Sequence, residues 1–318
     1  MIPEPTERVA AIDVGTNTVL LIVAERRGRS FQALVERAEI TRLGRGVDRS
    51  GRLDPAAIAD TVAVIARFAA EARSLAATRI AAVATSAARD AANGAEFFEA
   101  AREAVGLVPE IISGGEEARL VHLSAWGDFG TPGGRLAVLD VGGGSSELTW
   151  GGGPAPEGRR SFQMGAVRLT ERASPVDPPS VDDLRRMREA AREALREVAE
   201  IRASGVLAGA RLVAVAGTVT TLAAVAQALP EYDAARVHGS AMSLGDVTAL
   251  LGRLAALTSA ERSRLPGMEP KRADVIVAGA ILVSTALELG GFDALTVSDR
   301  GVRWGLLHDR FGSGAAGA

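Results

Sequence analysis

Two stretches of the chain place an aspartate at the end of an apolar run and follow it with small or hydroxylated residues. The first, AIDVGTNTVLL (11–21), carries Asp13, Gly15, Thr16 and Asn17. The second, LDVGGGSSEL (139–148), carries Asp140, Gly143, Gly144, Ser145 and Glu147. Glycine-rich turns after strands suit phosphate, because backbone N–H groups can point inward where no side chain blocks approach. A tight hairpin would look the same, so the turn alone decides nothing. The aspartates would be repelled by phosphate and would reach it through a hard cation such as Mg²⁺. Rival phosphate and metal motifs are missing: there is no G-x-x-x-x-G-K-[ST], no G-x-G-x-x-G opening a helix after a strand, and no H-E-x-x-H. Gly15 stands where an aspartyl-nucleophile phosphatase needs a second aspartate. His122, His238 and His308 lie far apart in sequence.

Elements must hold these turns. Residues 9–14 and 19–24 read as a strand hairpin, 31–40 as a third strand, and 41–51 as an Arg/Gly-rich loop. Asp54-Pro55 starts a helix running to about residue 77. A short strand follows at 80–84. A helix begins at Asn93 with Glu96 completing a capping box, and a strand at 110–112 precedes a helix opening with Ser113. Thr131–Gly134, TPGG, marks a boundary. Strands at 135–141, 145–150 and 160–163 then restart the order of the first half. A long helix spans 181–203, capped by Ser180 with Asp183. A strand at 212–216 leads into GTVTT (217–221) at a helix start. An apolar helix covers 271–290, a strand 295–297, a helix 302–311, and GSGAAGA is a loose tail. This predicts an α/β protein of two related domains, 1–127 and 128–318, with helix 301–311 packing back on the first. If a pseudo-two-fold axis relates them, the two turns face each other across a cleft.

The 318 residues are 47% apolar and 24% charged, with net charge −3, which disfavours a general nucleic-acid binder. No apolar run is long enough to span a membrane, and the N-terminus lacks a secretory pattern. Cysteine is absent, so disulfides and thiolate sites are excluded. A cytoplasmic location is expected. Lys271 is the sole lysine; the other cations are arginines, whose planar forks grip phosphate oxygens in pairs.

Seven segments occur in a telling order: DVGTNTVLL, VATSAARDAANG, ISGGEEARL, DVGGGSSEL, FQMGAVRLTE, AVAGTVTTLAA and VSDRGVRWGLL. Together they resemble the Ppx/GppA family of exopolyphosphatases and guanosine pentaphosphate phosphohydrolases, over about residues 9–310. That family belongs to the actin/sugar-kinase/Hsp70 superfamily. The resemblance implies two actin-like (ribonuclease H-like) domains with an interdomain cleft, in a short, two-domain member. It implies hydrolysis of the terminal phosphate of polyphosphate or of pppGpp, with Mg²⁺, or Mn²⁺, as cofactor and K⁺ as a further candidate, and a homodimer.

The family's base maps to Glu117. Ser113 and Glu116 read as a capping box, which ties Glu116 to the helix start and leaves Glu117 to face water. By the same resemblance Thr16, Asn17, Arg89, Gly143, Gly144 and Ser145 hold phosphoryl oxygens, and Gly217 and Thr218 contact the chain or close the cleft. Asp140 and Glu147 hold the metal, with Asp13 acting through water. Arg42, Arg45, Arg168, Arg272 and Arg303 are candidates for a track along polyphosphate. Only 4% of residues are aromatic, which favours polyphosphate over a guanine nucleotide. A sugar-kinase-like transferase and a silent phosphate sensor fit the motif set less well.

Overall fold

The computed structural model describes residues 7–28, 30–173 and 175–312. The opening MIPEPT, Arg29 of the ERRGRS turn, Ser174 and the tail beyond Gly312 lie outside them. Contacts divide the chain into two compact units: residues up to Ser124 together with those from Val302 on, and Ala125–Gly301. The division falls within a helix, upstream of the TPGG turn.

The first unit opens with β1 (Glu7–Val14), β2 (Thr18–Arg27) and β3 (Ser30–Ile40). Every residue of β1 from Val9 on is buried, as a strand covered on both faces requires. Next come α1 (Val47–Ser50), α2 (Pro55–Ser74), β4 (Arg79–Ala84), α3 (Ser86–Asp90), α4 (Gly94–Val105), β5 (Glu110–Ile111) and α5 (Gly114–Phe129). The sheet order is β3-β2-β1-β4-β5, with β1, β4 and β5 parallel. Ile12, Leu21, Ile65 and Phe97 sit at the centre of its core. Parallel strands put their carboxyl ends at one edge, where open α/β sheets bind ligands. Asp13 is the penultimate residue of β1, Arg89 lies on the helix after β4, and Glu117 lies in the first turn of the helix after β5.

The second unit repeats the plan with β6 (Leu136–Val141), β7 (Ser146–Gly151), β8 (Gly158–Phe162), α6 (Ala166–Ala173), α7 (Val181–Ala194), α8 (Glu197–Ala203), β9 (Arg211–Val215) and α9 (Ala216–Ala226). It continues through α10 (Ala234–Val237), β10 (Ala241–Ser243), α11 (Leu244–Ala255), α12 (Ser259–Arg262), a 3₁₀ turn at Pro270–Arg272, α13 (Ile276–Gly290) and β11 (Ala294–Val297). The order β10-β11-β9-β6-β7-β8 matches the first sheet with one antiparallel edge strand added. Helix α13 is buried on nearly every residue and packs among α6, α7, α8, α9 and α11. The last helix, α14 (Val302–Phe311), returns to the first unit.

Several sequence expectations change. The helix at 181–203 is two helices, broken at Leu195–Arg196. The apolar helix starts at Ile276; Lys271 and Arg272 belong to the 3₁₀ turn before it. Helix α2 stops at Ser74, and the Arg/Gly-rich loop contains the short α1. The α4 capping box does not form. Asn93 has φ −104 and ψ 25 and makes no side-chain cap. Its carboxamide accepts from Leu53 N at 2.7 Å and donates to Leu53 O and to Glu96 Oε2, both at 3.1 Å.

Candidate functional site

In each unit the carbonyls of the hairpin turn are tied down by the segment after the third strand. In the first, Thr41 N and Arg42 N donate to Asn17 O at 3.1 and 3.0 Å, and Gly44 N donates to Thr16 O at 2.8 Å. A Cβ on Gly44 would fall 2.3 Å from Thr16 Cγ2, so the approach needs glycine. In the second, Ala166 N donates to Gly142 O at 2.9 Å, and Val167 N and Arg168 N donate to Gly143 O at 2.9 and 3.2 Å. Ser146 Oγ donates to Met164 O at 2.7 Å. With the carbonyls so used, the N–H groups of Thr16, Asn17, Gly143 and Gly144 meet no acceptor among the described residues. Unpaired N–H groups in glycine-rich turns suit anions.

The first unit holds further buried donors. Asn17 is buried and its Nδ2 has no hydrogen-bond partner among the described residues. Arg89 Nη1 donates to Ile112 O at 2.9 Å, and its buried Nη2 likewise has no such partner. Buried donors of this kind are rare and call for a ligand or water. Glu117 is 8% exposed, and its Oε2 stands 3.8 Å from Arg89 Nη1. The acid beside it in sequence is differently engaged. Glu116 N donates to Ser113 Oγ at 3.1 Å, while the Glu116 carboxylate accepts from Arg119 Nε and Nη2 at 2.9 and 2.7 Å. Arg119 also donates to Asp309 Oδ1 at 2.7 Å, and the bond to Glu116, with Asp309 in support, pushes its pKa up. Glu116 is therefore gripped by an arginine rather than by the helix start alone.

In the second unit Asp140 and Glu147 are register partners across β6 and β7, 6% and 1% exposed. Glu147 Oε1 accepts from Ser161 Oγ at 2.8 Å. Burial pushes Asp140 up to about 7. Two buried carboxylates side by side suit a divalent cation, whose charge lowers the cost of ionising both. Among the described residues no group of three or more His, Cys, Asp or Glu could hold a metal by itself. A cation here would complete its shell with water and phosphate oxygens, as Mg²⁺ prefers. The register partner of Asp13, in the first unit, is Leu20, so that hairpin lacks the second carboxylate.

Gly217 and Thr218 open α9, directly after β9, which pairs Val215 with Asp140. The Arg272 guanidinium lies across Gly217: a Cβ there would meet its Cζ at 2.1 Å. Burial lowers the Arg272 pKa. Thr218 fits against Gly279 of α13, where a Cβ would fall 2.4 Å from Thr218 Cγ2. Arg42 and Arg168 occupy matching places beside the two turns, and Arg45 is exposed. Arg303 is not part of any track. It is buried, and its Nε and Nη2 donate to Glu36 Oε2 at 3.2 and 2.7 Å, joined by Trp304 Nε1 at 3.1 Å. Sequence reading passed over Gly165, whose Cβ would strike Gly143 C at 2.4 Å. The glycine inside FQMGAVRLTE was the available signal.

The family model for the Ppx/GppA phosphatase family matches residues 21–313. The chain belongs to the Ppx/GppA phosphatase family. It is a hydrolase acting on phosphoanhydride bonds. It is 38% identical to Exopolyphosphatase 2 of Mycobacterium tuberculosis over 313 residues, covering 94% of this chain and 97% of that one. It is 32% identical to Exopolyphosphatase 1 of Mycobacterium bovis, covering 98% and 90%. The crystal structure of the Aquifex aeolicus Ppx/GppA family member superposes with TM-score 0.80 at 34% identity, covering 96% of this chain and 98% of that one. An exopolyphosphatase from Cytophaga hutchinsonii superposes with TM-score 0.88 at 26% identity, covering 96% and 97%. The two repeated sheets are thus the two actin-like domains of a Ppx/GppA phosphatase. Among the described residues no helix is long and apolar enough to cross a membrane.

Proposed function

We propose that this Ppx/GppA phosphatase is an exopolyphosphatase that removes the terminal phosphate of inorganic polyphosphate. The carrying observation is the 3.8 Å approach of Glu117 to Arg89, whose Nη2 is buried without a hydrogen-bond partner among the described residues. Relatives named exopolyphosphatase at 32% and 38% identity support polyphosphate as the chain attacked.

Arg89 Nη2, Asn17 Nδ2 and the Thr16 and Asn17 N–H groups hold non-bridging oxygens of the terminal phosphate. Glu117 accepts a proton from a water whose oxygen attacks phosphorus in line with the bridging oxygen. The bridging P–O bond breaks, and the shortened polyphosphate leaves with the bridging oxygen and its electron pair. Donors fixed before the reaction stabilise charge as it develops on the phosphoryl oxygens. The second unit has phosphate donors of its own in the N–H groups of Gly143, Gly144 and Ser145, and Gly217 and Thr218, with Arg272 across Gly217, are candidates for contacts to a phosphate chain. Asp140 and Glu147 would hold a divalent cation such as Mg²⁺ or Mn²⁺, which when bound offsets phosphate charge. Asp13 is a candidate for a water-mediated contact.

Glu117→Gln keeps size and polarity but removes the proton acceptor. Its melting temperature should match the parent within a few degrees, while phosphate release from polyphosphate falls by roughly three orders of magnitude. Release at the parental rate would show that another group takes the proton.

A further inference from the structure

Helix α3 is a single turn, SAARD, and it carries Arg89 between two restraints. Ser86 Oγ, at its first position, donates to Asp90 Oδ2 at 3.1 Å, at its last. The other carboxylate oxygen, Oδ1, stands 3.4 Å from Arg89 Nε. On the far side Arg89 Nη1 donates to Ile112 O at 2.9 Å. The planar guanidinium is thus held at two of its three nitrogens, and the third, Nη2, takes the only direction left to it. A carboxylate at a helix C-terminus sits at the unfavourable end of the peptide dipoles. Local mismatches of this kind concentrate where function sets the residue.

We infer that Asp90 is a positioning residue for the reaction: its carboxylate, steadied by Ser86, fixes the Arg89 fork so that Nη2 meets a phosphoryl oxygen without a search. This rests on Arg89 as the arginine that grips phosphate. A fork held in advance loses little rotamer freedom on binding, and a displacement of about 1 Å can cost on the order of a hundredfold in rate.

The test is a double-mutant cycle on phosphate release from polyphosphate, with Arg89→Ala, Asp90→Ala and the two combined. Asp90→Ala should lower kcat/KM by about ten- to a hundredfold in the parent. In the Arg89→Ala background it should change kcat/KM by less than about twofold, because no fork remains to position. Asp90→Asn keeps an acceptor for Ser86 and should recover part of the loss; it replaces Asp90→Ala in the cycle if the alanine variant does not fold. An equal loss with and without Arg89, or no loss in the parent, overturns the inference. Full activity in Arg89→Ala alone overturns instead the role of Arg89 on which it stands.

Discussion

Asp140 is buried beside a second carboxylate, and burial raises it from 3.8 to about 7. The folded protein then binds more protons at this site than the unfolded chain between those two values. By linkage, this residue's contribution to stability is full below about pH 4 and is lost as pH rises through 7. In a chelator, the parent's melting temperature should fall across that window, and Asp140→Asn should flatten the slope. Adding Mg²⁺ should stabilise the parent more at pH 8 than at pH 5, because a metal ligand must be deprotonated. Identical pH slopes in parent and Asp140→Asn melts would remove Asp140 from this role. At this scale the sequence showed the site's residue types but not which partner each would choose. Glu116 is set apart from its neighbour by Arg119, which lies three residues on in the same helix and grips the Glu116 carboxylate with two bonds. Arg303 looked like any other arginine in GVRWGLL; its burial against Glu36 depends on a strand over 260 residues away.

Elements carry the site through backbone contacts that spacing alone does not reveal. Gly165 admits the first turn of α6 against the DVGGGSS turn, where a Cβ would lie 2.4 and 2.5 Å from Gly143 C and O. Backbone cannot swing aside as a side chain can, so Gly165→Ala should destabilise by roughly 1–3 kcal/mol. It should also cut kcat by more than the folded fraction lost, seen by pairing denaturant curves with initial rates. Activity that tracks the folded fraction alone would mean the turn is not displaced. The hairpins, capped starts and aspartate positions were legible because apolar runs ended by glycine turns, Ser180–Asp183 and Asp54-Pro55 are local signals. The break at Leu195 was not, since the buried Met187, Ala191, Leu195 and Val198 keep a helical spacing through it. Helix α11 was also missed, although Ser243 and Asp246 form a full capping box.

Taken whole, the chain is two copies of one sheet plan, and the first copy is built from both ends of the sequence. Helix α14 buries Val302, Trp304, Leu306, Leu307 and Phe311, and Gly305 lets it approach Leu120, where a Cβ would fall 2.0 Å from the carbonyl oxygen. At roughly 1.5–3 kcal/mol per buried apolar side chain, losing these residues approaches a domain's entire stability. A chain ending at Gly301 should therefore leave β1 and β2 amides unprotected in hydrogen exchange while the β6–β9 amides stay protected. Protection of both sheets would show that the first unit stands without α14. The duplication was readable from two DVG turns because each fixes a strand end. The added β10 edge was not, being three residues long. Initial rates of phosphate release should be compared at equal metal and salt for short polyphosphate, long polyphosphate and pppGpp. An exopolyphosphatase should show a kcat/KM for polyphosphate at least about tenfold above that for pppGpp, a preference of about 1.4 kcal/mol. A higher kcat/KM for pppGpp would contradict it.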